Sequence, residues 1–443
     1  MFVSYHRRSR LDLRDSVALA LCQIGSGAAG IGYYMYHGGE NPDGKLTTLQ
    51  KSTANGDVFD IATKSYDFQA PIGQFGQIRP HYKWLRRLNF FLEDFGSDLA
   101  RMPAFLPAGQ NQDTDLRWSV RSDGFACFLF VNNYQRLDAM PAVRDVRFEI
   151  RLPGADKVVL PQSPVTIPAD AFFHWPVNLE LNGARLVYAT AQPLLKHTDS
   201  DGALTVIFSE TPGIRPEFAF DPLTLQNSGV VESHLVLNAE PWPAQPLCFT
   251  TVSGKVVRIV VLNERDSLSL ERKSKNEAPR FEKPLRELIT PVAIEKVRPA
   301  GTLRDWRSKN PDFQLPVAPM EIDYLHAAAW KIRLPDGLDM KSNPILRIRY
   351  NGDSARLLLN GRLLNDDFYN GTAFEIGLRR HAPEILTGEL CLEILPLQKD
   401  MPVFFEPGTL PRFCPEGRAL ELTAIEIVET LEENEQFAWC GDR

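Results

Sequence analysis

The chain has 443 residues, of which 49 are Lys or Arg and 56 are Asp or Glu, for a net charge of −7, and 44% are hydrophobic. At roughly 150 residues per domain that length predicts about three domains. The composition excludes wholesale disorder, and the charge excludes the polycationic footprint of a nucleic-acid binder. Six cysteines (Cys22, Cys127, Cys248, Cys391, Cys414, Cys440) lie far apart with no metal-ligand spacing, so neither a zinc ribbon nor a disulfide framework is expected. The thiols read as reduced and the default location as cytoplasmic.

Residues 1–10 lack the apolar stretch of a secretory leader. The longest apolar-leaning run, 17–32, contains Gln23 and Ser26 and falls short of the ~20 residues of a membrane span. No membrane partner is expected. Asp12 or Asp15 can cap a helix running to Gly25, with Val17, Leu21 and Ile24 at helical spacing. The aromatic run 31–36 is short enough for a buried strand, closed by His37-Gly38-Gly39. A second helix follows from Trp84, Leu85, Leu88, Phe91, Leu92 and Phe95, with Gly96 at the position of a C′ residue.

Beyond about Pro103 the period becomes two. Residues 1–100 hold only three prolines, leaving 30 of the 33 for the remainder. Strands are expected at 125–131, 145–152, 256–262 and 346–350, and the aromatic run Phe172-Phe173-His174-Trp175 reads as a buried strand or interface patch. Asn351-Gly352 predicts a hairpin turn into a strand at 356–359, and Asn360-Gly361 predicts another. Further alternation marks strands at 389–394 and 420–428. The charged stretch 264–287 reads as a solvated linker. Many short strands broken by proline and glycine indicate sandwiches or jelly rolls.

The common catalytic motifs are absent: no GxGxxG after a strand, no Walker lysine loop, no HExxH and no GxSxG. Histidines at 6, 37, 81, 174, 197, 234, 326 and 381 are scattered, and neither a metal nor a cofactor is expected. His37-Gly38-Gly39 has two readings. Glycines after a strand let backbone approach a ligand, and a tight turn with a satisfied histidine fits equally well.

Tyr33-Tyr-Met-Tyr-His-Gly-Gly-Glu-Asn41 resembles the YYMFHGGTN segment of the family 35 glycoside hydrolases, the β-galactosidase family. The likeness extends through Gly44-Lys-Leu-Thr-Thr-Leu-Gln50, Lys64-Ser-Tyr-Asp-Phe-Gln-Ala-Pro71, Gly76-Gln77-Ile78-Arg79 and the helix ending at Gly96. Phe128-Leu-Phe-Val-Asn-Asn-Tyr-Gln-Arg136 and Tyr188-Ala-Thr-Ala-Gln-Pro193 resemble the β region of bacterial members. The resemblance implies a mainly β chain in three parts. The remnant of a (β/α)8 barrel, its last strand and last two helices, occupies 1–105, a β-sandwich region 106–290, and a galactose-binding-like jelly roll 291–443.

It also implies a retaining mechanism built on two glutamates about 5 Å apart, one protonating the leaving oxygen and the other attacking the anomeric carbon. In the family both precede the YYM segment, the nucleophile lying just before the Ser-Tyr-His-Arg-Arg stretch seen here at residues 4–8. The expectation is therefore that the chain holds no catalytic residue and is inactive alone. Galactose-containing carbohydrate and a separately encoded N-terminal barrel portion are its expected partners, and a full-length parent could be secreted. Tyr34 and Phe68 match pocket positions that contact sugar, and barrel core is the competing reading for both. Three residues depart from the family pattern: Glu40 for threonine, Lys51 for glutamate and Gln74 for glutamate. Glu40, a single carboxylate, makes no retaining pair. Trp306, Trp330 and Tyr369 could stack on a sugar, or fill a sandwich core. The alternative function is a non-catalytic carbohydrate-binding or assembly module.

Overall fold

The computed structural model describes residues 3–43, 60–109, 115–154, 156–227, 234–275, 277–307 and 315–432. The fold is mainly β, with 42% strand against 14% helix. Two compact units divide it. The first gathers Met1–Leu11, Tyr34–Arg79 and Lys283–Glu435, and the second takes Asp12–Tyr33 and Pro80–Glu282. Residues 1–105, expected to form one piece, are thus shared between both units.

The first unit is a two-sheet sandwich. One sheet orders Leu285–Pro291, Glu421–Glu432, Ile345–Asn351 and Phe374–Gly377; the other orders Ala293–Arg298, Ala328–Arg333, Leu390–Ile394, Ser354–Leu359 and Arg362–Phe368. Period-two alternation aims one face of each strand inward. Leu346, Ile348, Ile376 and Ile427 from the first sheet meet Leu357, Leu359, Leu392 and Ile394 from the second, all fully buried. Each such side chain stabilises the fold by roughly 1.5–3 kcal/mol. Trp330 sits in this core.

Two Asn-Gly pairs behave differently. Asn360 and Gly361 take φ of 52° and 78°, the left-handed pair a type I′ turn requires, and join Ser354–Leu359 to Arg362–Phe368 as a hairpin. Asn351-Gly352 does not make the expected hairpin. The strands on either side of it belong to different sheets, so the chain crosses the sandwich there. Gly352 is needed for close approach: a Cβ would lie 2.8 Å from Ile394 Cγ2 and 3.0 Å from the Leu395 carbonyl.

The N-terminal segment packs into the same unit, with Arg7–Arg8 pairing in parallel with Phe404–Phe405. Arg8 is fully buried. Its guanidinium donates to Asp353 Oδ1 (2.8 Å) and to the carbonyls of Tyr5 (2.6 Å), Asp353 (2.7 Å) and Tyr369 (3.1 Å). Tyr5 Oη donates to Asp353 Oδ2 at 2.5 Å. A buried charge is tolerated only when paired and hydrogen-bonded this fully.

The second unit holds both expected helices, Asp15–Gly25 and Pro80–Leu99, with a seven-stranded and a four-stranded sheet. Phe172–Leu181 is buried except at Glu180, as its apolar run predicts. Phe91 and Phe95 of the longer helix pack edge-on against Phe128, and Phe91 lies 4.1 Å from the His174 ring. Gly96 does not end this helix. The chain continues one more turn because Leu99 is buried and because Arg121 collects the terminal carbonyls. Its guanidinium donates to Leu99 O (2.7 Å), Met102 O (2.6 Å) and, at the end of the first helix, Ile24 O (2.7 Å). A cation on helix C-terminal carbonyls complements the dipole.

Two further expectations are corrected. Residues 31–36 form no strand, since a lone strand leaves its N–H and C=O groups without partners. The stretch 264–287 is folded rather than a solvated linker. Glu264–Ser269 is a helix capped by the Asn263 side chain, which accepts from the Asp266 N–H. Arg272 is buried on Asp94, 2.8 Å away. Among the described residues no helix is long and apolar enough to cross a membrane.

Candidate functional site

Three of the stretches that carry the family resemblance, 34–41, 64–71 and 76–79, come together within the first unit, while the helix ending at Gly96 and stretches 128–136 and 188–193 belong to the second. Gly39–Glu40 pairs antiparallel with Ser65–Tyr66. The Asn41 N–H donates to Lys64 O (2.8 Å), and Asn41 Nδ2 donates to Thr63 O (3.0 Å). Ile72 bridges His37 on one side and Ile78 on the other, and the Gly38 N–H donates to Ile72 O at 2.7 Å. Residues 44–50 and Lys51 lie outside the described residues.

This packing explains the paired glycines. A Cβ on Gly38 would stand 2.7 Å from Asp67 Oδ2 and 2.8 Å from the Gln74 backbone nitrogen, whereas one on Gly39 would meet nothing nearer than 3.8 Å. Gly38 therefore serves the close approach of two loops. His37 is exposed, with Nδ1 against the Gly38 carbonyl.

Asp67 organises the second loop. Its carboxylate accepts from the N–H groups of Gln69 (3.0 Å) and Gln74 (2.7 Å) and faces Arg79 Nη2 at 2.8 Å. Arg79 also donates to Ala70 O (2.8 Å). Asp366, on the strand Arg362–Phe368, accepts from the backbone N–H of Thr63 (2.6 Å), Lys64 (2.7 Å) and Ser65 (3.1 Å). Burial raises the Asp366 pKa, and the three amides work against that shift. The loop is thereby fixed to the sandwich.

On this frame stands a cluster of three aromatic rings. Tyr34 and Phe68, the two residues expected to touch sugar, lie with ring centroids 6.2 Å apart and planes tilted 33°. Tyr66, which sequence reasoning passed over, lies 4.2 Å from Phe68, and its hydroxyl is 2.5 Å from that of Tyr34. That hydrogen bond, more than burial, raises the pKa of Tyr66. Tyr34 is 74% exposed, which removes the reading of it as core. Phe68 has φ of 52°, a left-handed conformation costing a bulky residue roughly 1–2 kcal/mol. Such strain marks sites where side-chain direction matters. Tyr66 lies two residues before Phe68 in the same resembling stretch, 64–71, the signal that could have found it.

The nearby carboxylates do not form an acid/base pair. Glu40 lies 3.2 Å from Arg380 and 4.0 Å from Lys64, and Asp67 is taken up by Arg79 and two amides. Arg380 comes from the 3-10 turn Leu378–His381, too distant in sequence to be foreseen. The other aromatic candidates are structural. Trp330 belongs to the sandwich core, Tyr369 is buried with its hydroxyl donating to Asn351 (2.9 Å), and Trp306 packs into the cluster around Tyr5 under the Arg307 guanidinium. Among the described residues no group of three His, Cys, Asp or Glu is placed to hold a metal.

Behind Phe68 lies a cavity of about 110 Å³ whose walls come from the 60–79 segment and from residues 365–375. Gln74 lines it with a side chain that is 6% exposed. Its Oε1 accepts a long bond from Asn365 Nδ2 (3.4 Å), and its Nε2 has no partner among the described residues. Asp367, also in the wall, accepts from Tyr350 Oη (2.7 Å), and burial pushes its carboxyl up to about 6.

No family model and no curated protein matches the chain. Among solved structures, a rhamnosidase from Novosphingobium sp. PP1Y aligns with 77% of this chain at 11% identity and a TM-score of 0.17. The chain spans 26% of that protein's length, and the likeness is too slight to bear on fold or function.

Proposed function

We propose that this chain supplies the galactoside-recognising part of a family 35-like retaining β-galactosidase and, alone, binds terminal β-galactosides without cleaving them. One observation carries the reading. Three separate stretches resembling that family, 34–41, 64–71 and 76–79, fold into one hydrogen-bonded frame, and the frame displays Tyr34, Tyr66 and Phe68 as a cluster. Pyranose rings present an apolar face that aromatic rings accept, with polar neighbours fixing orientation. Hydrolysis needs a second ingredient, two carboxyls about 5 Å apart with one able to give up a proton. Glu40 and Asp67 both face cations instead. In this reading the catalytic pair belongs to a barrel portion encoded outside this sequence.

The test uses p-nitrophenyl β-D-galactoside with the purified chain. Binding without release of nitrophenol is expected, and a barrel portion carrying both glutamates should restore turnover when added. Turnover by the chain alone would overturn the proposal. A free-standing carbohydrate-binding module is the second reading, favoured by the exposure of Tyr34. It requires that the added barrel portion neither binds nor restores activity.

A further inference from the structure

Most polar groups in the wall of the cavity behind Phe68 are already committed. Asn365 Oδ1 accepts from the Asp366 N–H (3.0 Å), Asn370 Oδ1 from Thr372 Oγ1 (2.6 Å), and Gln77 Nε2 donates to Glu375 (3.1 Å). Gln74 and Asp367 keep capacity. Gln74 Nε2 is a buried donor with no acceptor among the described residues, a condition native proteins rarely leave uncompensated. Asp367 spends one oxygen on Tyr350, and a carboxylate has room for more donors than that.

We infer that this cavity is a binding pocket for a hydroxyl-bearing arm of a carbohydrate, with Gln74 and Asp367 as its polar contacts. The hydroxyls of a sugar arm accept as well as donate, so such an arm can serve both Gln74 Nε2 and Asp367. A carbonyl would leave Asp367 unused, and an ammonium would leave Gln74 orphaned. Phe68, Phe368 and Phe374 give the pocket its apolar wall. Phe68 belongs to the aromatic cluster as well, which makes the two sites neighbours. At about 110 Å³ the cavity is below the ~300–1,000 Å³ that encloses a whole ligand. It takes a hydroxymethyl or a ring edge, not an oligosaccharide. The substrate class rests on the galactoside reading above; the pocket and its orphaned donor do not.

The test is titration of the full chain with D-galactose, by calorimetry and thermal shift, for the native protein, Gln74→Met, Asp367→Asn and Tyr34→Ala. Gln74→Met should raise the melting temperature without ligand, because a buried unpaired donor is removed, and should weaken galactose binding by about five- to tenfold. Asp367→Asn should weaken it as well, which keeps the test decisive if Gln74→Met folds poorly. Unchanged affinity in both pocket variants overturns the inference; if Tyr34→Ala then loses binding, the aromatic-cluster reading survives. Weakened binding in the pocket variants with none lost in Tyr34→Ala supports the pocket and removes the cluster. No galactose binding by the native chain overturns the pocket, and hydrolysis after addition of the barrel portion then decides the galactosidase reading separately.

Discussion

Replacing Gly38 with alanine probes the frame on which the site depends. The added Cβ would stand 2.7 Å from Asp67 Oδ2, 2.8 Å from the Gln74 nitrogen and 3.1 Å from Asp67 Cα. Two of those atoms are backbone, and the third accepts from the Gln74 N–H on a carboxylate whose other oxygen is held by Arg79 and the Gln69 N–H, so relief requires the loops to part. Overpacking of that kind costs roughly 1–3 kcal/mol. Alanine returns about 0.4–1 kcal/mol by restricting the unfolded chain, and Gly38 does not occupy the left-handed region, so no backbone strain is added. The net loss should be about 1–2 kcal/mol, a fall in melting temperature of ~3–6 °C for a unit of 150–250 residues. Gly39→Ala is the control, since its Cβ meets nothing nearer than 3.8 Å, and should change stability by less than about 0.5 kcal/mol. Amide hydrogen exchange provides the local assay, with Gly38→Ala speeding exchange at residues 67–74 and Gly39→Ala leaving it unchanged. Equal stability of Gly38→Ala and the native chain, or greater damage from Gly39→Ala, would refute the packing explanation.

Arg8→Met should destabilise the first unit by about 3 kcal/mol, because Asp353, 1% exposed, loses its buried partner; Arg304, 4.0 Å from Asp353, softens the loss. In a urea double-mutant cycle Arg8→Met with Asp353→Asn should cost less than the two singles summed, and strict additivity would contradict the pairing. Burial lowers the His174 pKa to about 3, so the folded state holds it neutral while the unfolded chain takes up a proton below about pH 6.5. Stability is therefore full above that pH and falls between about pH 6.5 and 3, by on the order of 4 kcal/mol. His174→Phe should flatten that arm of the pH–stability curve, and an unchanged slope would argue against a neutral buried histidine. Tyr34→Phe removes the hydroxyl that raises the Tyr66 pKa, so ultraviolet titration should show Tyr66 ionising at lower pH in the variant; no change would place the two hydroxyls apart.

Period-two alternation made the β architecture legible, and Val256–Leu262 lies where its pattern places it. Turn chemistry was legible only where the turn is local. Asn360-Gly361 needs nothing beyond its own backbone, whereas Asn351-Gly352 joins different sheets, a property of the assembled sandwich. The same division applies to the site. Tyr66 was passed over, while Tyr34 and Phe68 were visible through resemblance. Arg380 beside Glu40, Asp366 under residues 63–65 and Arg121 on two helix ends were not, because each is a contact across a long stretch of chain. Gly96 carried a stop signal that burial of Leu99 and the carbonyl bonds of Arg121 overrode.

The central claim is that Tyr34, Tyr66 and Phe68 form a sugar-binding surface. Calorimetric titration with methyl β-D-galactoside, comparing the native chain with Tyr34→Ala and Phe68→Ala, tests it most directly. The account predicts saturable binding by the native chain and its loss in both variants, with each variant still folded by circular dichroism. Absent binding in the native chain, or affinity that survives loss of both rings, would contradict it.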